Sequence, residues 1–268
     1  MLLLATFLGG ITATTSAQET TQAVTGPEDT EPASESEKAI ADEVRQRIFR
    51  QINDYRQQQE LSALSRDADL QTAASDFAQY MAETSRYGHN ADGSTPARRA
   101  KSAGYDYCVV RENIAYRTNT GDVTVESLTD VFVQGWIDSP PHRKNIVADY
   151  VTETGVGVAT QDGITYFAVQ LFGRPRSKAY KVQVTNRSEQ ARTLAVESDG
   201  NRDEFQIGPR MRFQMTRCLP TELALAGEEQ TKNDEQTEND EQGNVFTIRQ
   251  AAEFTITETG LDRVDTGQ

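Results

Sequence analysis

Apolar residues recur at helical spacing in three stretches of the chain and at strand spacing in much of the rest. Ile40, Val44, Ile48, Ile52 and Tyr55 fall on one face at steps of four and three, which predicts an amphipathic helix. Ser34 with Glu37 three residues on supplies a capping box for its start. A second helix is expected from about Arg66 to Thr84, with Leu70, Ala73, Ala74, Phe77 and Met81 as its apolar stripe. A third is expected over 122–138, with Leu128, Val131, Phe132 and Trp136 inward. Between the second and third, "YGHNADGSTPARRAKSAGY" holds an Asp-Gly turn, then Thr95-Pro96 as cap and first residue of a short helix, then Gly104 as its stop. After the third comes "SPPHRKNIV", residues 139–147. Ser139 stands where a cap is needed, and Pro140 and Pro141 occupy the first turn, where backbone N–H groups have no helical partner anyway. The two prolines therefore form a stiff ramp that fixes the direction of the helix carrying His142.

The period then changes to two. "ETGVGVATQDGITYFAVQLFG" has alternating runs on either side of a Gln-Asp-Gly turn and reads as a β-hairpin, with Gly155 and Gly157 marking close backbone approach. From residue 175 onward, "AYKVQVT", "RTLAVES", "EFQIG", "RMRFQMT", "ELALA", "NVFTI" and "EFTITE" alternate in the same way between turn residues. They predict a small antiparallel β-sandwich over 175–268. The tandem hexapeptides "TKNDEQ" and "TENDEQ" at 231–242 read as a solvated loop between two of its strands.

Charge sharpens these boundaries. The formal net charge of the 268 residues is −14, but residues 1–37 carry six acids and no Lys or Arg, and 228–243 carry seven acids against Lys232. Those two segments hold −12, so the remainder is nearly neutral and has no basic stripe to meet phosphates; nucleic-acid binding is not expected. Residues 18–37, rich in Thr, Glu, Pro and Ser, read as an acidic disordered linker, and 228–243 as an acidic loop. Residues 1–17 are apolar and then small, in the manner of a signal peptide cut after Ala17, although no Lys or Arg precedes the apolar run. That run is too short to span a bilayer, so the mature protein is expected to have no transmembrane span. Cys108 and Cys218 fit one disulfide in an exported protein, or two buried thiols.

Four ionisable side chains are expected at element ends or in loops, where they can converge on a cleft: His89 in a turn, Glu112 in "RENIA", His142 at a helix start and Glu153 at the hairpin start. Two neutral imidazoles can hold a zinc ion with open positions, and two carboxylates can orient the imidazoles or act as base. The chain's only two histidines also admit a bland reading, with His142 bonded to backbone and His89 exposed.

Residues 40–174 resemble the CAP superfamily of cysteine-rich secretory proteins, antigen 5 and plant pathogenesis-related proteins, and within it the cysteine-poor bacterial SCP-like extracellular proteins. The matching pieces come in order: "GHNADGSTPARRAKSAGY", "RENIAY", "GWIDSPPHRKNIV", "TETGVGVA" and "YFAVQLFGRP". The resemblance implies an α+β fold, a three-layer α-β-α sandwich with a central antiparallel sheet over 38–174, followed here by the β-rich domain. It also implies an open cleft lined by a His–Glu–Glu–His set, which maps to His89, Glu112, Glu153 and His142. Where such proteins usually carry Gly between Pro and His, this chain has Pro141. Three functions follow. The cleft binds a divalent cation, zinc first, through His89 and His142, together with a lipid, peptide or surface-polymer ligand. Alternatively it is a metal-dependent hydrolase with Glu112 or Glu153 as base; a metal-free variant using Ser139 with His142 is set aside because Ser139 is taken up as a cap. Or the C-terminal domain acts on the cell surface or envelope. All three place the protein in a secreted or extracytoplasmic location.

Overall fold

The structure, a computed structural model, describes residues 22–23, 34–119, 123–227 and 245–264. The expected signal peptide and the acidic loop 228–243 lie outside the described residues. In chain order the N-terminal half is β1 (Gln22–Ala23), α1 (Glu35–Gln58), β2 (Ser65–Arg66), α2 (Ala68–Thr84), β3 (Arg86–Tyr87), α3 (Pro96–Ser102), β4 (Tyr107–Thr118), α4 (Val125–Asp138), α5 (Pro140–Ile146), β5 (Glu153–Thr160) and β6 (Thr165–Pro175). Helix α1 starts on the expected capping box, with Glu37 N bonded to Ser34 and Ser34 N to Glu37. Its first turn therefore takes the last residues of the expected linker.

A four-stranded sheet in the order β2-β5-β6-β4 forms the middle layer. Helices α1 and α4 cover one face through Val44, Ile48, Ile52, Phe132 and Trp136, and α2 covers the other through Leu70, Ala74, Phe77 and Met81. Helix α2 lies directly on the sheet backbone. A Cβ at Gly155 would stand 2.2 Å from the carbonyl carbon of Leu70, and one at Gly157 would stand 2.1 Å from Ala74 O. Register fixes which residue meets which layer. Glu112 is opposite Leu171, which in turn is opposite Gly155, so Glu112 faces α2. Asn113, opposite Gln170, faces the other way.

Three local expectations are corrected. Val131 is 42% exposed; Thr129 and Val133 share the buried face of α4 with Leu128, Phe132 and Trp136. Ser139 precedes α5, but its side chain makes no cap hydrogen bond; only its carbonyl takes part, accepting from Arg143 N at 2.8 Å. The strand β2 pairs with β5 in parallel, so the central sheet is antiparallel only among β5, β6 and β4.

The second half is β7 (Tyr180–Asn186), β8 (Arg192–Ser198), β9 (Asn201–Ile207), β10 (Arg212–Arg217), β11 (Thr221–Leu225), β12 (Val245–Ile248), β13 (Ala252–Ile256) and β14 (Leu261–Arg263). Two four-stranded sheets, β10-β7-β13-β14 and β12-β11-β8-β9, enclose a core that includes Val182, Val184, Leu194, Leu223, Phe254 and Ile256. The sandwich is not wholly antiparallel, because β13 runs parallel to β7. Cys108 in β4 and Cys218 after β10 form a disulfide that joins the two halves. Asp149 pairs with Arg249 and Arg111 with Asp199 across the same junction.

Candidate functional site

Strand β4 carries the centre of the site. It is the edge strand of the central sheet, and side chains rather than another strand satisfy two of its carbonyls at the site. Tyr87 Oη and Trp136 Nε1 each donate to Ile114 O at 3.2 Å, and Asn145 Nδ2 donates to Glu112 O at 3.0 Å. Glu112 was expected at an element end or in a loop. It lies instead inside a twelve-residue strand, with its carboxylate 1% exposed.

A carboxylate that deep needs partners. His89 Nδ1–H donates to Glu112 Oε1 at 2.7 Å, and Arg99 Nη2 donates to Glu112 Oε2 at 2.7 Å. Arg99 also donates to His89 O at 3.0 Å, to Asp92 Oδ1 at 2.9 Å and to Ser94 O at 3.0 Å. Its guanidinium lies 3.5 Å from the centre of the Phe77 ring. Arg99 therefore grips His89 twice: by its backbone directly, and by its ring through Glu112. With Nδ1 committed to a carboxylate, Nε2 is the nitrogen that His89 would present to a cation.

His142 approaches from α5. Asn113 Nδ2 donates to His142 O at 3.1 Å, and Asn145 Nδ2 donates to Asn113 Oδ1 at 2.8 Å, which ties the helix to the strand of Glu112. Burial pushes the His142 imidazolium below the ordinary histidine range, and the nearby His89 adds to the shift. His142 is therefore neutral at pH 7. Its Nδ1 is buried and has no hydrogen-bond partner among the described residues.

Glu153 stands at the start of β5, on the same face as Glu112 but two strands away, about 10 Å across the sheet at the usual strand spacing. Its Oε2 accepts from Tyr105 Oη at 2.6 Å. Burial raises that phenol far above its usual range, and Glu153 raises it further. The structure thus joins His89 to Glu112, sets His142 close enough to His89 for a proton on one ring to disfavour a proton on the other, and gives Glu153 to Tyr105. Among the described residues, no group of three or more His, Cys, Asp and Glu gathers to hold a metal ion. Sequence reasoning missed Arg99, Asn113 and Asn145, all of which lie inside or beside the quoted motifs.

The three-layer domain with this edge-strand site defines an α-β-α sandwich of a recognised kind. Residues 49–172 match the cysteine-rich secretory protein family, CAP, and this segment is a CAP domain. Among solved structures, an outer surface protein from Borrelia burgdorferi is 19% identical, with a TM-score of 0.44 over 55% of this chain and 100% of its own. An extracellular protein containing an SCP domain from Bacillus anthracis is 25% identical, with a TM-score of 0.45 over 54% of this chain and 45% of its own. A cysteine-rich secretory protein from Staphylococcus aureus is 17% identical, with a TM-score of 0.38 over 56% of this chain and 43% of its own. The chain thus spans less than half the length of the last two. No curated protein matches it.

Proposed function

We propose that this CAP domain binds a divalent cation, zinc first, between His89 and His142, and holds a ligand beside it. One observation carries the reading. His89 is fixed by a buried carboxylate at Nδ1, while His142 is kept neutral and has a buried nitrogen without a partner. An orphaned imidazole nitrogen costs stability unless something occupies it under working conditions. Two imidazoles would leave the remaining coordination positions to water and ligand. A bound cation would act as an electrostatic anchor for a ligand oxygen. The protein's own part is to orient His89 through Glu112 and Arg99, and to keep His142 deprotonated.

Binding is favoured over hydrolysis because both carboxylates considered as a base are already held. Glu112 bonds at both oxygens, and Glu153 bonds to Tyr105. The Cys108–Cys218 disulfide supports an extracytoplasmic setting. Among the described residues no helix is long and apolar enough to cross a membrane.

Calorimetric titration of chelator-treated protein with zinc tests the reading. One ion should bind, and His89→Ala or His142→Ala should each weaken it by about tenfold or more. Affinity should also fall below about pH 6, where protonated imidazole no longer ligates. Equal affinity in wild type and both variants would remove the cleft as the site.

A further inference from the structure

Arg111, the residue before Glu112, is where the two domains meet at the site. Its Nη1 donates to Asn145 Oδ1 at 3.3 Å. Its Nη2 donates to the Tyr150 hydroxyl and to Asp199, whose two carboxylate oxygens lie at 3.4 and 3.3 Å. Asn145 and Tyr150 belong to the CAP domain, whereas Asp199 belongs to the sandwich. Asp199 and Gly200 form the two-residue turn between β8 and β9, at φ of 49° and 77°. Those are the signs a type I′ hairpin turn requires.

From Arg111 the contacts lead inward. Asn145 donates to Glu112 O and to Asn113 Oδ1, and Asn113 donates to His142 O. A hydrogen-bonded chain therefore runs from a hairpin turn of the second domain to the backbones of both Glu112 and His142. Asp199 is the carboxylate in ion-pair range of Arg111 among the described residues, and Arg111 is only 18% exposed. The Cys108–Cys218 bond enters β4 three residues before Arg111, which holds the sandwich at this edge. Asn145 and His142 lie three residues apart on the same short helix, which the two prolines stiffen at its start. A displacement of Asn145 is therefore passed to His142.

We propose that the sandwich domain is a positioning device for the cleft. Asp199, acting through Arg111 and Asn145, sets where His142 stands relative to the His89–Glu112 pair. The consequence for ligand affinity rests on the cation-binding reading; the positioning itself does not.

The test compares full-length wild type with Asp199→Asn, Arg111→Lys and the double variant, all with the disulfide intact. Asn tolerates the left-handed turn while removing the charge. Lys keeps the charge but lacks the fork that reaches Asn145, Tyr150 and Asp199 together. Two readouts are taken: the ring NMR signals of the two histidines in protein stripped of metal, and calorimetric binding of zinc alone. The His142 signal should move in both single variants, while that of His89 stays. Zinc should bind about threefold to tenfold more weakly. The double variant should be no worse than Arg111→Lys, because both changes cut the same chain. An unmoved His142 signal in both single variants overturns the proposal, whether or not zinc binds. If wild type takes no zinc and His142 still moves, the cation reading falls and the positioning role stands.

Discussion

Two adjacent arginines in α3 have opposite fates: Arg98 is exposed, while Arg99 is buried over Phe77 and bonded to Glu112. Nothing in "STPARRAK" separates them, because a pair of basic residues on a short helix gives no clue to which one turns inward. Histidine is the opposite case. With only two in the chain, each drew attention by scarcity, and they come out close enough to share an electrostatic field. The pairing of His89 with Glu112 is a contact between residues far apart in sequence, legible only through the family resemblance. At this scale pH gives a direct check. The folded-state pKa of His142 is depressed, so the unfolded chain takes up a proton more readily. Stability is then full above about pH 6.5 and falls as the pH drops through the folded value. Urea unfolding of metal-free protein at about pH 7.5 and about pH 5 should show this loss in wild type. His142→Gln should lose correspondingly less, and equal losses in the two proteins would show that His142 pays no such penalty.

The elements with regular patterns were legible and β4 was not. Helix α2 buries the whole stripe that its periodicity predicts, α1 buries Val44, Ile48 and Ile52 of its own while Ile40 and Tyr55 are half-buried, and the β5–β6 hairpin closes around its Gln-Asp-Gly turn. Strand β4 reads "YCVVRENIAYRT", with three polar residues in its middle. A buried strand is normally recognised by unbroken apolar or alternating residues. Here Glu112 faces a core layer and is compensated by Arg99 and His89, both outside the strand, so local sequence could not announce it. The same logic corrects Val131 on α4: its periodic position lies at the margin of the apolar stripe, and Thr129 takes the buried place by bonding to Val125 O at 2.7 Å. The two glycines of β5 were legible because a missing side chain in a strand has few other uses. Gly157→Ala should confirm the close approach. The new methyl would meet the Ala74 carbonyl, and overpacking of this kind costs about 1–3 kcal/mol. A thermal melt unchanged from wild type would mean that α2 does not lie on the strand as closely as the structure places it.

The association of the two domains was the least legible feature, since each reads as a complete unit with its own core. The cysteines hinted at it, but not at which surfaces meet. The ion pairs at the junction are partly exposed, and such pairs contribute roughly 0–1 kcal/mol each. The disulfide closes a loop between residues 110 apart, for which chain entropy alone gives about 4–5 kcal/mol. The covalent link, more than the contacts, should therefore keep the domains folding as one. The molecule carries its own probe for this. Its single Trp136 is 1% exposed in the CAP core, and the sandwich has none. Tryptophan fluorescence thus follows one domain, while far-ultraviolet dichroism follows both. In wild type the two denaturation curves should coincide. In a Cys108→Ser, Cys218→Ser variant they should separate, because each domain then unfolds at its own midpoint and weak ion pairs cannot couple them. Coincident curves in that variant would assign the coupling to the non-covalent junction instead, and would raise the weight carried by Arg111 and Asp199.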